Sequence, residues 1–266
     1  MKRSAWIGLI VLALLLYGAF LIVFAPATYF VKTVNSLGAG TLALQQPTGT
    51  FWNGGADATI SRGTAAPIVG QLHWTIHPSR LFVGVVGVDL RFDGAEVQMQ
   101  TALDFGLRHH TLKNTTVVAP TSIAGLFYPP ADFMELSGQF RLAIPAVEIS
   151  KTGVSGSAEL LWNNAASRLL PLQPAGDYKL QINAQETRAD LRLSTLQGML
   201  QVNGQGEWRF IGDGALRVQG NIATTSPQPT LDPLLNTIAP VQPDGKHAFT
   251  SEVRLRPLQP AALFIF

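Results

Sequence analysis

Apolar and polar residues alternate along most of this chain, and this pattern limits what the chain can fold into. Within residues 177–183, Tyr178, Leu180 and Ile182 fall on one face and every polar residue falls on the other. A period of two residues is the spacing of a β-strand. About fourteen such segments can be counted by this criterion. Because only one face of each segment is apolar, the pattern predicts a mostly antiparallel sheet with one buried and one solvated face.

An apolar segment precedes the alternating region. Residues 5–25 are 21 consecutive uncharged residues, and the only charges before them are Lys2 and Arg3. A helix of this length spans about 30 Å, the thickness of a bilayer's hydrocarbon core. We expect a single-pass anchor, one helix from about residue 4 to 37, with the two basic residues on the cytoplasmic side and the rest of the chain on the other. A cleaved signal peptide is the alternative, because residues 25–27 fit a cleavage site, although the apolar core is unusually long for one.

A weak internal repeat runs through the alternating region. Trp74 and Trp162 stand 88 residues apart in similar strand-like segments. This spacing predicts two similar halves, over residues 38–130 and 131–266, that extend one sheet. The rhythm breaks clearly within residues 224–243, where leucines at helical spacing between prolines predict one short amphipathic helix.

Composition excludes several functions for the β-domain, which is expected over residues 38–266 after the anchor over residues 1–37. Two of the 19 basic residues precede the apolar segment, which leaves 17 basic and 17 acidic residues after it. This balance provides no electrostatic footprint for nucleic acid. Cysteine is absent, so no disulfide, thiolate metal site or thiol nucleophile is possible.

The residues most often used in catalysis do not form a recognisable site. His73 and His77 are four residues apart, but in a strand this places them about 13 Å apart, too far for one metal ion. Residues 153–157 lack the last glycine of a nucleophile elbow. Residues 204–208 begin like a dinucleotide fingerprint but lead into a strand instead of a helix. The sequence therefore predicts no enzyme, no metal and no cofactor.

Aromatic residues are the strongest candidates for an important role. Each tryptophan can bury about 200 Å² and its indole N–H needs a partner. They can form the core of the sheet, or they can line a groove on its apolar face. The structural or groove-lining candidates are Trp52, Trp74, Trp162 and Tyr178. The glycines expected in turns are Gly49, Gly54, Gly70, Gly138 and Gly176.

Several of these motifs occur in one order behind a single anchor helix. They are Gly-Thr-Phe-Trp-Asn-Gly at 49–54, Gly-x-Leu-x-Trp at 70–74, Leu-Ser-Gly-x-Phe at 136–140, Leu-x-Trp at 160–162 and Gly-Asp-Tyr at 176–178. In this order and spacing the chain resembles the protein N family of the bacterial type II secretion system, which moves folded proteins from the periplasm to the exterior. The resemblance implies a non-enzymatic inner-membrane component, largely periplasmic, whose partners are other secretion subunits.

The same resemblance implies an alternative function. The protein N family is similar in turn to AsmA-like periplasmic proteins, in which an anchor helix precedes a long, curled, amphipathic sheet. Some of those proteins are linked to lipid handling. The alternative is therefore a protein that binds or transfers lipid, with phospholipid held on the apolar face of the sheet.

Overall fold

The fold is seen in a computed structural model, which describes residues 3–38, 40–61, 67–127, 130–170, 172–226, 231–238, 241–243, 245–255 and 257. The α-helices are α1 (Arg3–Val23), α2 (Ala27–Leu37), α3 (Ala124–Phe127), α4 (Pro130–Phe133) and α5 (Asp232–Ile238). Two 3₁₀ helices cover Pro78–Val83 and Thr121–Ile123. The first six strands are β1 (Leu42–Gly49), β2 (Asn53–Ile60), β3 (Ile68–His77), β4 (Val85–Gly94), β5 (Gln98–Gly106) and β6 (His109–Pro120). The others are β7 (Leu136–Ser150), β8 (Val154–Ser167), β9 (Gly176–Gln185), β10 (Arg188–Gly198), β11 (Leu200–Trp208), β12 (Ala215–Thr224) and β13 (His247–Arg254).

All thirteen strands belong to one open sheet whose spatial order is the order of the sequence. Each strand is antiparallel to the next. The prediction of a mainly β, antiparallel fold is confirmed. The described residues contain thirteen strands, against about fourteen predicted for the whole chain, and residues 258–266 lie outside the described residues.

The predicted single N-terminal helix is wrong in one respect, because it is two helices. Pro26 separates α1 from α2 and has extended backbone angles, φ −65° and ψ 149°. Proline has no N–H to continue a helix, so α1 and α2 are separate helices. Counting only the side chains that the structure describes, no helix is long and apolar enough to cross a membrane, and the predicted transmembrane helix is not confirmed.

The junction between α1 and α2 is attached to the turn between β1 and β2. The Phe51 N–H donates to the Ala25 carbonyl over 2.7 Å. The Trp52 indole N–H donates to the Ile22 carbonyl, also over 2.7 Å. Backbone carbonyls at a helix end lack partners within the helix, so these bonds join the end of α1 to the sheet.

Apolar side chains form two clusters on one face of the sheet. The first lies under α2, where Ala27 and Val31 pack against strands β1 to β5. The second lies near the other end of the sheet, where Leu231 and Leu235 cover Leu200. The predicted short helix is confirmed as α5. The helices α2 and α5 therefore cover the apolar face toward its two ends.

Candidate functional site: an apolar groove on the sheet

The strand register builds a continuous apolar row across the sheet. Leu72 of β3 lies opposite Phe92 of β4, and each following strand adds one apolar side chain in line. The row continues through Met99, Val117, Leu142, Leu160, Leu180 and Leu193. Directly opposite side chains in adjacent strands are close enough to contact one another. The alternation in sequence therefore becomes one apolar stripe from β3 to β10.

Part of this stripe lines a groove of about 520 Å³. Leu42 of β1 and Leu160 of β8 both line it. In a flat sheet, seven strand spacings would separate these strands by about 34 Å. All the strands from β1 to β8 contribute side chains to the groove. The remaining groove-lining side chains are Ala58, Ile60, Ile68, Leu72, Leu90, Phe92, Val97, Met99, Val117, Ala119, Ile123, Ala124, Phe140 and Leu142.

Trp74 lies beside this groove and does not line it. Its side chain is only 1% exposed and stacks on Phe30 of α2, with the two ring centroids 4.2 Å apart. Its indole N–H donates to the Phe51 carbonyl over 3.0 Å. Trp74 is therefore part of the core that joins α2 to the sheet.

Trp162 has the same kind of hydrogen bond but a different environment. Its indole N–H donates to the Ser137 carbonyl over 3.0 Å, yet the residue is only half-buried. Trp162 and Tyr178 line a smaller apolar cavity of about 240 Å³. The Tyr178 hydroxyl donates to the Leu200 carbonyl over 2.9 Å, and burial followed by the nearby Asp177 charge raises the pKa of Tyr178 to about 12. The two repeat tryptophans therefore differ, and only the second lines open space.

The predicted turn glycines occupy several kinds of position. Gly49 ends β1 with φ +81°, next to a turn in which the Thr50 N–H donates to the Asn53 carbonyl over 2.8 Å. Gly138 has φ +107° and lies at a bulge in the pairing of β7 with β8, not in a turn. Gly176 is the first residue of β9.

The turn prediction is wrong for Gly54 and Gly70, which lie inside β2 and β3. A Cβ atom on Gly54 would come within 2.5 Å of the Trp74 ring, and one on Gly70 within 2.6 Å of the Phe92 ring. Because these two glycines have no side chain, they leave space for the aromatic rings on the apolar face, and this explains why glycine occurs within these strands.

Polar and charged side chains cover the opposite face. Arg80 and Lys113 both form ion pairs with the carboxylate of Asp104. Burial raises the pKa of Asp104, but the hydrogen bonds and charges of Lys113 and Arg80 outweigh it and hold the pKa below the ordinary value. Of the two histidines considered for metal binding, His77 instead contacts Asp89 over 2.8 Å. This face has the features of a solvated, ion-paired surface.

The groove-lining residues of the middle strands were not singled out from the sequence. Leu142 and Leu160 stand in alternating segments, so their side of the strand was predictable. Their meeting in one groove depends on the register of strands far apart in the chain, which alternation alone does not specify.

Together the fold and its groove define a class of protein: an open antiparallel sheet with an apolar groove on one face, preceded by an apolar helix. A family model described as "Type II secretion system (T2SS), protein N" matches residues 40–250, from just before β1 into β13. The chain belongs to this family. No curated protein and no solved structure matches the chain.

Proposed function

We propose that this protein is a non-enzymatic component of the type II secretion system, held in the inner membrane by one helix, that supports the export of folded proteins from the periplasm. The family match over residues 40–250 carries the proposal. Residues 5–25 are uncharged and mostly apolar, as a membrane anchor requires. The basic residues Lys2 and Arg3 favour an orientation with the sheet in the periplasm.

The sheet would act as a scaffold for other secretion subunits, and its two edges differ. At the β1 edge, the Asn35 side chain accepts a hydrogen bond from the Leu44 N–H and donates one to the Leu44 carbonyl, over 2.8 and 3.0 Å. Pro47 and a bulge interrupt the same strand. These devices prevent strand addition at an edge. β13 contains no proline and pairs with β12 over eight unbroken positions. On its outer side the described residues form one isolated bridge, between Val241 and His247, so the rest of β13 is the better edge for strand addition.

A second candidate function has one specific observation in its favour. The groove of about 520 Å³ is lined almost entirely by apolar side chains. An acyl chain fits such a surface because its burial requires no polar partner. In this alternative the protein binds or transfers phospholipid, and the groove, not Trp74, is the binding surface.

Secretion and lipid assays on a deletion strain separate the two functions. The strain should be complemented with the wild-type gene, with Leu142→Trp and with Arg141→Trp, the last two being neighbours on opposite faces of β7. Leu142→Trp should fill the groove, and Arg141→Trp is the matched control on the exposed side. For a scaffold, deletion reduces exoprotein release and both variants restore it.

A lipid carrier gives a different result. Native mass spectrometry of the gently purified wild-type chain then detects bound phospholipid, and Leu142→Trp loses it while Arg141→Trp keeps it. The same loss should raise outer-membrane permeability. If deletion changes neither secretion nor permeability, both functions are refuted.

The anchor needs a separate test. A reporter that is active only in the periplasm, fused after residue 266, should give signal, and the protein should stay with the membrane in high salt. A soluble periplasmic form that begins at Thr28 would instead establish a cleaved signal peptide.

A further inference from the structure

Large apolar side chains are exposed at both ends of the sheet, and one set lies at the end that holds the β1–β2 turn. Phe82 is 93% exposed and Val83 75%, both in the 3₁₀ helix between β3 and β4. Leu107, in the turn between β5 and β6, is 87% exposed. Val85, next to the 3₁₀ helix, pairs with Gly106, next to Leu107, so the two segments are neighbours. We call Leu81, Phe82, Val83, Phe105 and Leu107 the apolar tip; Leu81 and Phe105 are 47% and 42% exposed.

The apolar tip lies at the same end of the sheet as the junction between α1 and α2. In a sheet whose strands alternate in direction, every second connection falls at the same end. The β1–β2 turn, the β3–β4 connection and the β5–β6 turn therefore share one end. The first of these holds the end of α1 through Trp52 and Phe51. At about 4.8 Å per strand spacing, the two parts of the apolar tip lie about 10 and 19 Å from that junction along the sheet.

A basic residue lies within or directly beside each segment of the apolar tip. Arg80 and Lys113 share the single carboxylate of Asp104. Arg108 follows Leu107 directly and is exposed. Exposed apolar side chains beside basic residues are the combination that binds the surface of a phospholipid bilayer, where the apolar groups enter the acyl boundary and the cations meet anionic headgroups.

We propose that the apolar tip is a second membrane contact, which inserts into the surface of the bilayer in which α1 is anchored. The proposal rests on the proposed anchoring by α1. Two contacts, α1 and the apolar tip, would hold this end of the sheet against the membrane and direct the opposite end into the periplasm. Contact with the bilayer would account for both the exposure of the apolar tip and its position beside the end of α1.

Depth measurements on the full-length chain test this directly. The chain has no cysteine, so single cysteines can carry a fluorescent label without further changes. The labelled variants are Phe82→Cys and Leu107→Cys in the apolar tip, and Leu14→Cys in α1. The matched control is Leu196→Cys, which is 52% exposed and lies near the end of β10, at the opposite end of the sheet. Each variant is reconstituted in vesicles of phosphatidylethanolamine and phosphatidylglycerol that contain brominated acyl chains.

Quenching by the brominated chains should be several-fold stronger at residues 82 and 107 than at residue 196, and strong at residue 14. If residue 14 is quenched while residues 82 and 107 behave like residue 196, the anchor stands and the second contact is refuted. If residue 14 is not quenched either, the anchor itself fails. Because Phe82 and Leu107 are almost fully exposed, these substitutions should leave the fold intact, and circular dichroism of each variant checks this.

Discussion

Replacing Trp74 with alanine should destabilise the sheet far more than the same change at Trp162. Trp74 is 1% exposed and stacks on Phe30, whereas Trp162 is half-buried. Both indoles donate to a backbone carbonyl over 3.0 Å. The pair therefore matches in residue type and hydrogen bonding, and differs in burial.

The expected size of the difference follows from this burial. Removing a fully buried aromatic side chain costs about 3 to 5 kcal/mol, which combines lost transfer energy with the cavity left behind. For Trp74 we expect about 4 to 5 kcal/mol, because the stacked Phe30 ring loses its partner as well. Trp162 already borders open space, so its removal creates little new cavity and should cost about 2 kcal/mol.

Thermal unfolding of the purified full-length chain, followed by far-UV circular dichroism, provides the measurement. For a chain of this size each kcal/mol lowers the melting temperature by about 2 to 4 °C, so Trp74→Ala should melt about 8 to 20 °C below wild type. The melting temperature of Trp162→Ala should fall by about half as much or less. Equal losses at the two sites, or a loss of lipid from Trp74→Ala without a loss of stability, would refute the assignment of Trp74 to the core.

Three further predictions use the same unfolding assay. Leu180→Asp should cost several kcal/mol of stability, because it places a charge within the apolar stripe. The neighbouring Lys179→Gln lies on the polar face and should change stability by under about 0.5 kcal/mol. Equal effects of the two substitutions would mean that the two faces are misassigned. Between pH 10 and 12 the free energy of unfolding of the wild type should fall relative to that of Tyr178→Phe, by up to about 1.4 kcal/mol per pH unit. The reason is that the raised pKa of Tyr178 keeps this tyrosine protonated in the folded protein while it ionises in the unfolded chain. Parallel pH profiles of the two proteins would contradict this. Asn35→Ala removes two hydrogen bonds to Leu44 and should lower the free energy of unfolding by about 1 to 2 kcal/mol. Hydrogen exchange at the Leu44 amide should also become faster. Unchanged exchange would show that the Asn35 side chain does not protect the β1 edge.

The sequence predicts which face of each strand is apolar, but it does not predict where on the sheet the groove forms. The alternation around Phe92, Leu142 and Leu160 shows which side of each strand is apolar. It does not show that β1 and β8 contribute side chains to the same groove. That depends on register and twist summed over seven strand spacings, and no local sequence pattern encodes such a sum.

The burial of the two repeat tryptophans could not be predicted from the sequence either. Trp74 and Trp162 occupy similar positions in sequence, and both donate to backbone carbonyls in the structure. Trp74 stacks on Phe30 of α2, the helix that follows Pro26 and packs on the first strands. Burial of a side chain is set by what packs above it, and that element comes from a distant part of the chain.

The sequence by itself determined the antiparallel β class, the apolar and polar faces, the apolar N-terminal segment and the family resemblance. These properties follow from short-range periodicity and from motif order, which are present before the chain folds. The tertiary structure decided the rest: the strand-by-strand order of one open sheet, the groove, the unequal edges and the exposed apolar tip beside the end of α1. Each of these brings together residues distant in sequence, so each depends on how the strands pair.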